Sequence, residues 1–228
     1  MTEGSDKFEI TPAISKQERS NKRFEFTPAS CEAPQVLNAA QIQGFNQDGF
    51  ITGLRLFSPE TIAEIRHYFD RLLMEALQSG GSSYTINTAH LKHGKVHDML
   101  SHHRLALLMH DLIGPNVIGW GSHFFCKMPK DGKAVSWHQD GTTLWNEPDH
   151  DRGTHGFNFM VNLYATNAEN ALWIVPGTHD SGKLDIKGRV AANNNSIELP
   201  DAVPMLCSPG DVAICNRQML HGSFANTS

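Results

Sequence analysis

Ser136-Trp137-His138-Gln139-Asp140-Gly141 is the stretch whose reading decides the fold. On a β-strand, residues i and i+2 point to one face, so a strand here turns His138 and Asp140 the same way. The surroundings favour a strand. Beyond Pro115, short apolar or alternating runs are separated by Gly, Pro, Asn and Asp. Strands are expected at 117–120, 123–128, 135–140, 156–165, 171–175, 196–199 and from Val212 on toward His221. Turns are expected at Pro129-Lys130-Asp131-Gly132, Pro176-Gly177-Thr178 and Ser208-Pro209-Gly210-Asp211.

Before Pro115 the periodicity is helical. A short helix over Ala39 to Asp48 leads to a short strand at Gly49-Phe50-Ile51. Ser58-Pro59-Glu60-Thr61 supplies an N-cap and a first-turn proline for a helix reaching Leu77, closed by Gly80-Gly81. Ile62, Ile65, Phe69, Leu72, Leu73 and Ala76 make its apolar stripe, read as core packing. A further amphipathic helix is expected from Leu100 to Ile113, stopped by Gly114-Pro115. Helices first and many short strands after argue for α+β: a sandwich or barrel core, such as a jelly roll, with N-terminal helices packed on it. Residues 1–35 are polar and broken by Pro12, Pro28 and Pro34, and read as an arm; 36–228 read as one domain.

The chain has 228 residues and a formal net charge of −5, with charges of both signs interspersed. Nucleic acid and anionic membranes are therefore poor partners. No segment approaches the ~18 apolar residues of a membrane span. Cys31, Cys126, Cys207 and Cys215 form no Cys-x-x-Cys, which fits reduced thiols in a cytoplasmic protein.

A lone His-x-Asp means little: with 13 His in the chain, chance gives on the order of 0.7 matches. The bland reading is a surface strand with a His–Asp hydrogen bond. The sharper one adds His221, in His221-Gly222-Ser223, as a third metal ligand. Two histidines and a carboxylate on one face of a metal leave its other positions open, the arrangement of non-haem Fe(II) oxygenases. Alternation along Val212 to His221 would put His221 on a face with Met219, Arg217 and Cys215. His179 reads as a loop histidine, and His93, His97, His102 and His103 as surface groups.

From Gln41 to Ser228 the sequence resembles the phytanoyl-CoA dioxygenase family. The matching pieces, in the family's order, are Asp48-Gly49-Phe50, Phe57-Ser58-Pro59-Glu60, Leu112-Ile113-Gly114-Pro115, Lys127-Met128-Pro129, Trp137-His138-Gln139-Asp140-Gly141, Glu169 through His179, Pro209-Gly210-Asp211-Val212 and His221-Gly222-Ser223. The resemblance implies a double-stranded β-helix and Fe(II) held by His138, Asp140 and His221. It implies 2-oxoglutarate and O₂ as co-substrates, giving succinate and CO₂ while a small organic molecule is hydroxylated. An aspartate at 140, where related halogenases carry a small residue, points to hydroxylation. The same alignment places His123, Lys127 and Met160 beside the co-substrate.

One departure bears on activity. In this family an Arg about ten residues past the distal His grips the far carboxylate of 2-oxoglutarate, a task suited to a guanidinium. This chain ends at Ser228, before that position. Truncation of a longer protein is the favoured expectation. The alternative is a catalytically silent metal-binding or interaction member, and Arg217 is a weak substitute for the missing Arg. A zinc hydrolase on the same ligands is a third reading, but no His-Glu-x-x-His occurs. Thr142 and Trp145, just past the metal pair, are expected in the substrate pocket, with a core aromatic as the other reading of Trp145. The polar stretch around His150 and His155 suits a lid.

Overall fold

The structure is a computed structural model and describes residues 26–83, 86–130, 134–140, 156–182, 184, 199 and 201–228. Thr142, Trp145, His150, His155, most of the strand expected at 196–199 and the first 25 residues of the arm lie outside the described residues.

Helix α1 (Ala39–Asp48) opens with a capping box. The Asn38 side chain accepts from the Gln41 amide, and the Gln41 side chain accepts from the Asn38 amide, which satisfies donors the helix leaves open. Gly49, at φ +83°, ends the helix and turns the chain into β1 (Phe50–Leu54). Helix α2 (Pro59–Gln78) starts on Ser58 with proline in its first turn, and buries Ile62, Phe69, Leu72 and Leu73 as its stripe requires. The helix expected over Leu100 to Ile113 begins only at His103, and a separate helix before it was not expected. Helix α3 (Gly94–Leu100) ends at Ser101, and α4 (His103–Ile113) runs to Gly114, which takes φ +84°.

The strands form two antiparallel sheets. One has the order β1–β6–β3 and the other β2–β7–β4–β5. Their spans are β2 (Val135–His138), β3 (Phe157–Val161), β4 (Trp173–Val175), β5 (Val203–Pro204), β6 (Val212–Asn216) and β7 (Leu220–Ser223). The strand β5 escaped the sequence reading. Strand β6 is buried on both faces. Val212 and Ile214 join Phe157, Phe159 and Val161 against α1, α2 and α4. Ala213 and Cys215 face the other way and pack with Ile174 of the second sheet. The core is thus a helix layer on one sheet and an apolar seam between the two sheets.

Two strand expectations fail. Residues 117–120 and 123–128 form no strand; an isolated bridge joins Asn87 to His123. Ile118, Trp120 and Phe125 are exposed. Alternation cannot make a strand where no neighbouring strand takes up its amides. The continuous strand from Val212 to His221 is also interrupted. The Asn216 side chain accepts from the Gln218 amide at 2.8 Å, and Met219 donates to the Asn216 carbonyl at 3.0 Å. This tight turn puts β6 and β7 in different sheets, so face parity does not carry across it.

The described end of the arm is tied down. Ala29 and Asn46 exchange two hydrogen bonds. The buried Asp111 carboxylate accepts the amides of Gln35, Val36 and Leu37. No helix among the described residues is long and apolar enough to cross a membrane.

Candidate metal centre

The β2–β7 pair brings the ligand-bearing residues together. His138 and His221 are Cα partners in its register, and their ring centroids lie 4.2 Å apart. The strands can approach because residue 222 is glycine. A Cβ there would stand 3.0 Å from the Val135 carbonyl oxygen and 3.2 Å from the Trp137 ring. Asp140 follows the end of β2, where its amide donates to the Arg217 carbonyl at 2.8 Å.

The three side chains point to a common spot. His138 Nε2 is 3.3 Å and His221 Nε2 3.7 Å from Asp140 Oδ1. Each imidazole is oriented from behind. His138 Nδ1 lies 2.7 Å from the Ser136 carbonyl, and His221 Nδ1 lies 2.9 Å from that of Met219. A carbonyl only accepts, so each Nδ1 carries a proton, and in the neutral ring each Nε2 turns a lone pair inward. Such a tautomer lock is what a metal-ligating histidine needs.

Exposure differs across the triad. The His221 side chain is 8% exposed, His138 39% and Asp140 36%, so the centre is closed behind and open in front. The hydrogen bond to Asp140 raises the pKa of His138 against the opposing effect of burial. Burial pushes Asp140 up, but its bond to His138 and the nearby His221 and Asn158 outweigh that and hold the carboxyl below its usual range. Burial lowers His221, which favours the neutral imidazole. The Cys215 thiol is pushed up to about 12, mainly by burial. It stays protonated and is no competing ligand.

Two residues were missed in the sequence. Gln139, between the ligands, is buried. Its Nε2 donates to the carbonyls of Gly182 and Gln218, and its Oε1 accepts from Leu184. With Trp137 it fills the face of β2 opposite the ligands, so the alternation that pairs His138 with Asp140 also anchors them. Asn158, on β3 of the other sheet, donates from Nδ2 to Asp140 Oδ2. No local pattern announces that bond, because it joins different sheets.

The other expected residues are spread more widely. Met160 shares the Asn158 face of β3 and packs in the seam between the sheets. Lys127 donates from Nζ to the Phe224 carbonyl, just past β7. His123 is exposed and bridges Asn87. Arg217 occupies the β6–β7 turn, and its stem lies where a Cβ on Gly156 would be. The turn, not a shared strand face, sets its place relative to His221. His179, expected in a loop, is buried in a short 3₁₀ turn. There its Nε2 meets the Asn46 carbonyl at 3.2 Å.

Cys31, His110 and Asp111 also bring ligand atoms within 4.8 Å of one another. Asp111 is already committed to three backbone amides there. His138, Asp140 and His221 carry no such commitment on their inward atoms. Two imidazole nitrogens and one carboxylate oxygen with an open front suit a six-coordinate Fe(II) that must also take exchangeable ligands.

Comparison with known proteins identifies the family and the fold. The family model described as phytanoyl-CoA dioxygenase (PhyH) matches residues 45–228. A phytanoyl-CoA dioxygenase 1 from Oryza sativa subsp. japonica is 27% identical over 113 residues, covering 47% of this chain and 39% of the rice protein. The chain thus matches well under two thirds of that relative's length. An ectoine dioxygenase from Bordetella parapertussis is 28% identical over 224 residues, covering 85% of this chain and 72% of that protein. The crystal structure of EctD from S. alaskensis with 2-oxoglutarate and 5-hydroxyectoine shares the fold at a TM-score of 0.71 and 21% identity, covering 90% of this chain and 78% of that one. With that family model matching from Phe45 to Ser228, this chain belongs to the phytanoyl-CoA dioxygenase family.

Proposed function

We propose that the protein is an Fe(II)- and 2-oxoglutarate-dependent dioxygenase that hydroxylates a small organic molecule, with His138, Asp140 and His221 as its metal ligands. One observation carries the reading: three ligand atoms converge while both imidazoles spend Nδ1 on a backbone carbonyl. Membership of the family supports the choice of iron and 2-oxoglutarate. When bound, the iron couples O₂ to decarboxylation of 2-oxoglutarate to succinate and CO₂, with hydroxylation of the substrate.

The protein's part is to hold and to exclude. The β2–β7 pair fixes the two imidazoles, and the buried Gln139 and Trp137 stop β2 from turning over. The two sheets are the halves of a double-stranded β-helix, meeting across Ile174, Ala213 and Cys215. Met160, on the seam, is assigned to the co-substrate side. Lys127 acts as a strut that sets the chain past β7, and His123 is assigned to the rim. Thr142 and Trp145, two and five residues past Asp140 in the sequence, are assigned to the substrate pocket. The ectoine dioxygenase relative supports a small-molecule substrate. The cysteines carry no disulfide among the described residues, which fits a reducing cytoplasm.

Succinate formation from 2-oxoglutarate in air tests the reading. It should require added Fe(II), fail with Zn(II), and disappear in His138→Ala. An iron-loaded protein that makes no succinate above the His138→Ala background contradicts it.

A further inference from the structure

Asp140 differs from the two histidines in having two chemically equivalent oxygens. Turned about its Cα–Cβ–Cγ axis, it can offer a metal either one oxygen or both. A ligand that closes on the ion with both oxygens occupies a second coordination position, one the proposed reaction needs for a co-substrate. Something must hold the carboxylate to one oxygen.

The structure supplies a group in that place. Asp140 Oδ1 faces both imidazoles, at 3.3 Å from His138 Nε2 and 3.7 Å from His221 Nε2. Oδ2 points the other way and accepts from Asn158 Nδ2. Asn158 is well placed for that work. It sits inside a five-pair antiparallel register between β3 and β6, opposite Cys215, which is buried. The flanking Phe157 and Phe159 pack into the helix layer and fix the strand's orientation. The amide is therefore anchored in one sheet while the carboxylate it holds belongs to the end of a strand in the other. Asp140 itself follows the last residue of β2 and has lost the support of strand pairing. Among the described residues, its backbone is held by the bond from its amide to the Arg217 carbonyl at 2.8 Å.

We infer that Asn158 is a positioning residue that reserves Asp140 Oδ2, so that the carboxylate meets the metal through Oδ1 alone. The inference rests on the metal reading above. It adds a residue from the second sheet, which makes the seating of the two sheets part of the site. A hydrogen-bonded outer partner of a metal ligand typically contributes about 10- to 100-fold in metal affinity.

A double-mutant cycle on Ni(II) affinity tests this without any turnover. Ni(II) binds imidazole tightly enough to leave the two-histidine site measurable after Asp140 is removed. The proteins are wild type, Asn158→Leu, Asp140→Ala and the double variant, each checked for folding by thermal melting. Asn158→Leu is nearly isosteric and lacks the donor. The expected result is an affinity loss of about tenfold or more in Asn158→Leu, and no further loss when it is added to Asp140→Ala. An equal loss in both backgrounds means that Asn158 acts through the fold and not through Asp140, and overturns the inference. So does wild-type affinity in Asn158→Leu, which leaves the metal reading standing. Wild-type protein that binds no Ni(II) removes both.

Discussion

His138 and His221 are directly opposite each other across the β2–β7 pair, with ring centroids 4.2 Å apart and each Nδ1 turned back onto the carbonyl two residues earlier. Residues facing each other across an antiparallel pair are the closest side-chain neighbours a sheet offers. The distance between the two imidazoles is therefore set by how closely β2 and β7 approach, and any change in that approach reaches the centre directly.

Gly222 is the point at which the approach is most easily disturbed. A Cβ there would stand 3.0 Å from the Val135 carbonyl oxygen and 3.2 Å from the Trp137 ring. Gly222→Val should cost about 2 kcal/mol of stability by overpacking, read by urea unfolding. It should also weaken metal binding, because the added bulk pushes His221 away from His138. Undiminished metal affinity would mean that the strand spacing does not set the site.

Gly49 links the first helix to the same region. It adopts φ +83°, and a Cβ on it would run into the Met219 sulfur and the His179 ring. Its carbonyl accepts from the Asn216 amide at the start of the turn before β7. Gly49→Ala should destabilise by on the order of 3 kcal/mol, combining the left-handed backbone with the clash. Denaturant unfolding checks this, and a loss below about 0.5 kcal/mol, the scale of ordinary surface changes, would contradict the packing.

Asp111 makes a prediction about pH. Burial pushes its carboxyl up, but the amides of Gln35, Leu37 and Val36, helped by His110, hold it below its ordinary value. A carboxyl lowered in the folded state binds more protons when unfolded. Its stabilisation is complete above the unfolded value of about 4 and is lost as pH falls through the lower folded value. Asp111→Asn should lose about 2 kcal/mol at neutral pH, since charged acceptors are replaced by one neutral oxygen. It should also lose part of the drop in stability below about pH 4. An acid limb unchanged from wild type would show that this clamp does not titrate.

How much the sequence revealed depended on the range of each interaction. His138 and Asp140 were legible because they lie two apart in extended sequence, although the strand itself ends at His138. The cap at Ser58 and the stop at Gly114 were legible because their partners lie within a turn. His221 was found through its resemblance to a family motif, and the parity argument offered for it fails at the Asn216–Gln218 turn. The apolar runs at 117–120 and 123–128 carry strand-like composition without a partner strand. Composition there specifies neither pairing nor burial, since Ile118, Trp120 and Phe125 stay exposed. Asn158 and Gln139 were missed, and the burial of His179 was not foreseen, for a common reason: each is defined by contacts with residues distant in the chain.

The most direct test of the central claim is the visible spectrum of the purified protein under nitrogen, as Fe(II) and then 2-oxoglutarate are added, with His138→Ala alongside. Chelation of the iron by the keto acid should produce a weak charge-transfer band that needs both additions and is absent from the variant. Iron bound with no band on adding 2-oxoglutarate would contradict the assignment of this chain as a 2-oxoglutarate enzyme. Equal iron binding by wild type and His138→Ala would contradict the metal centre itself.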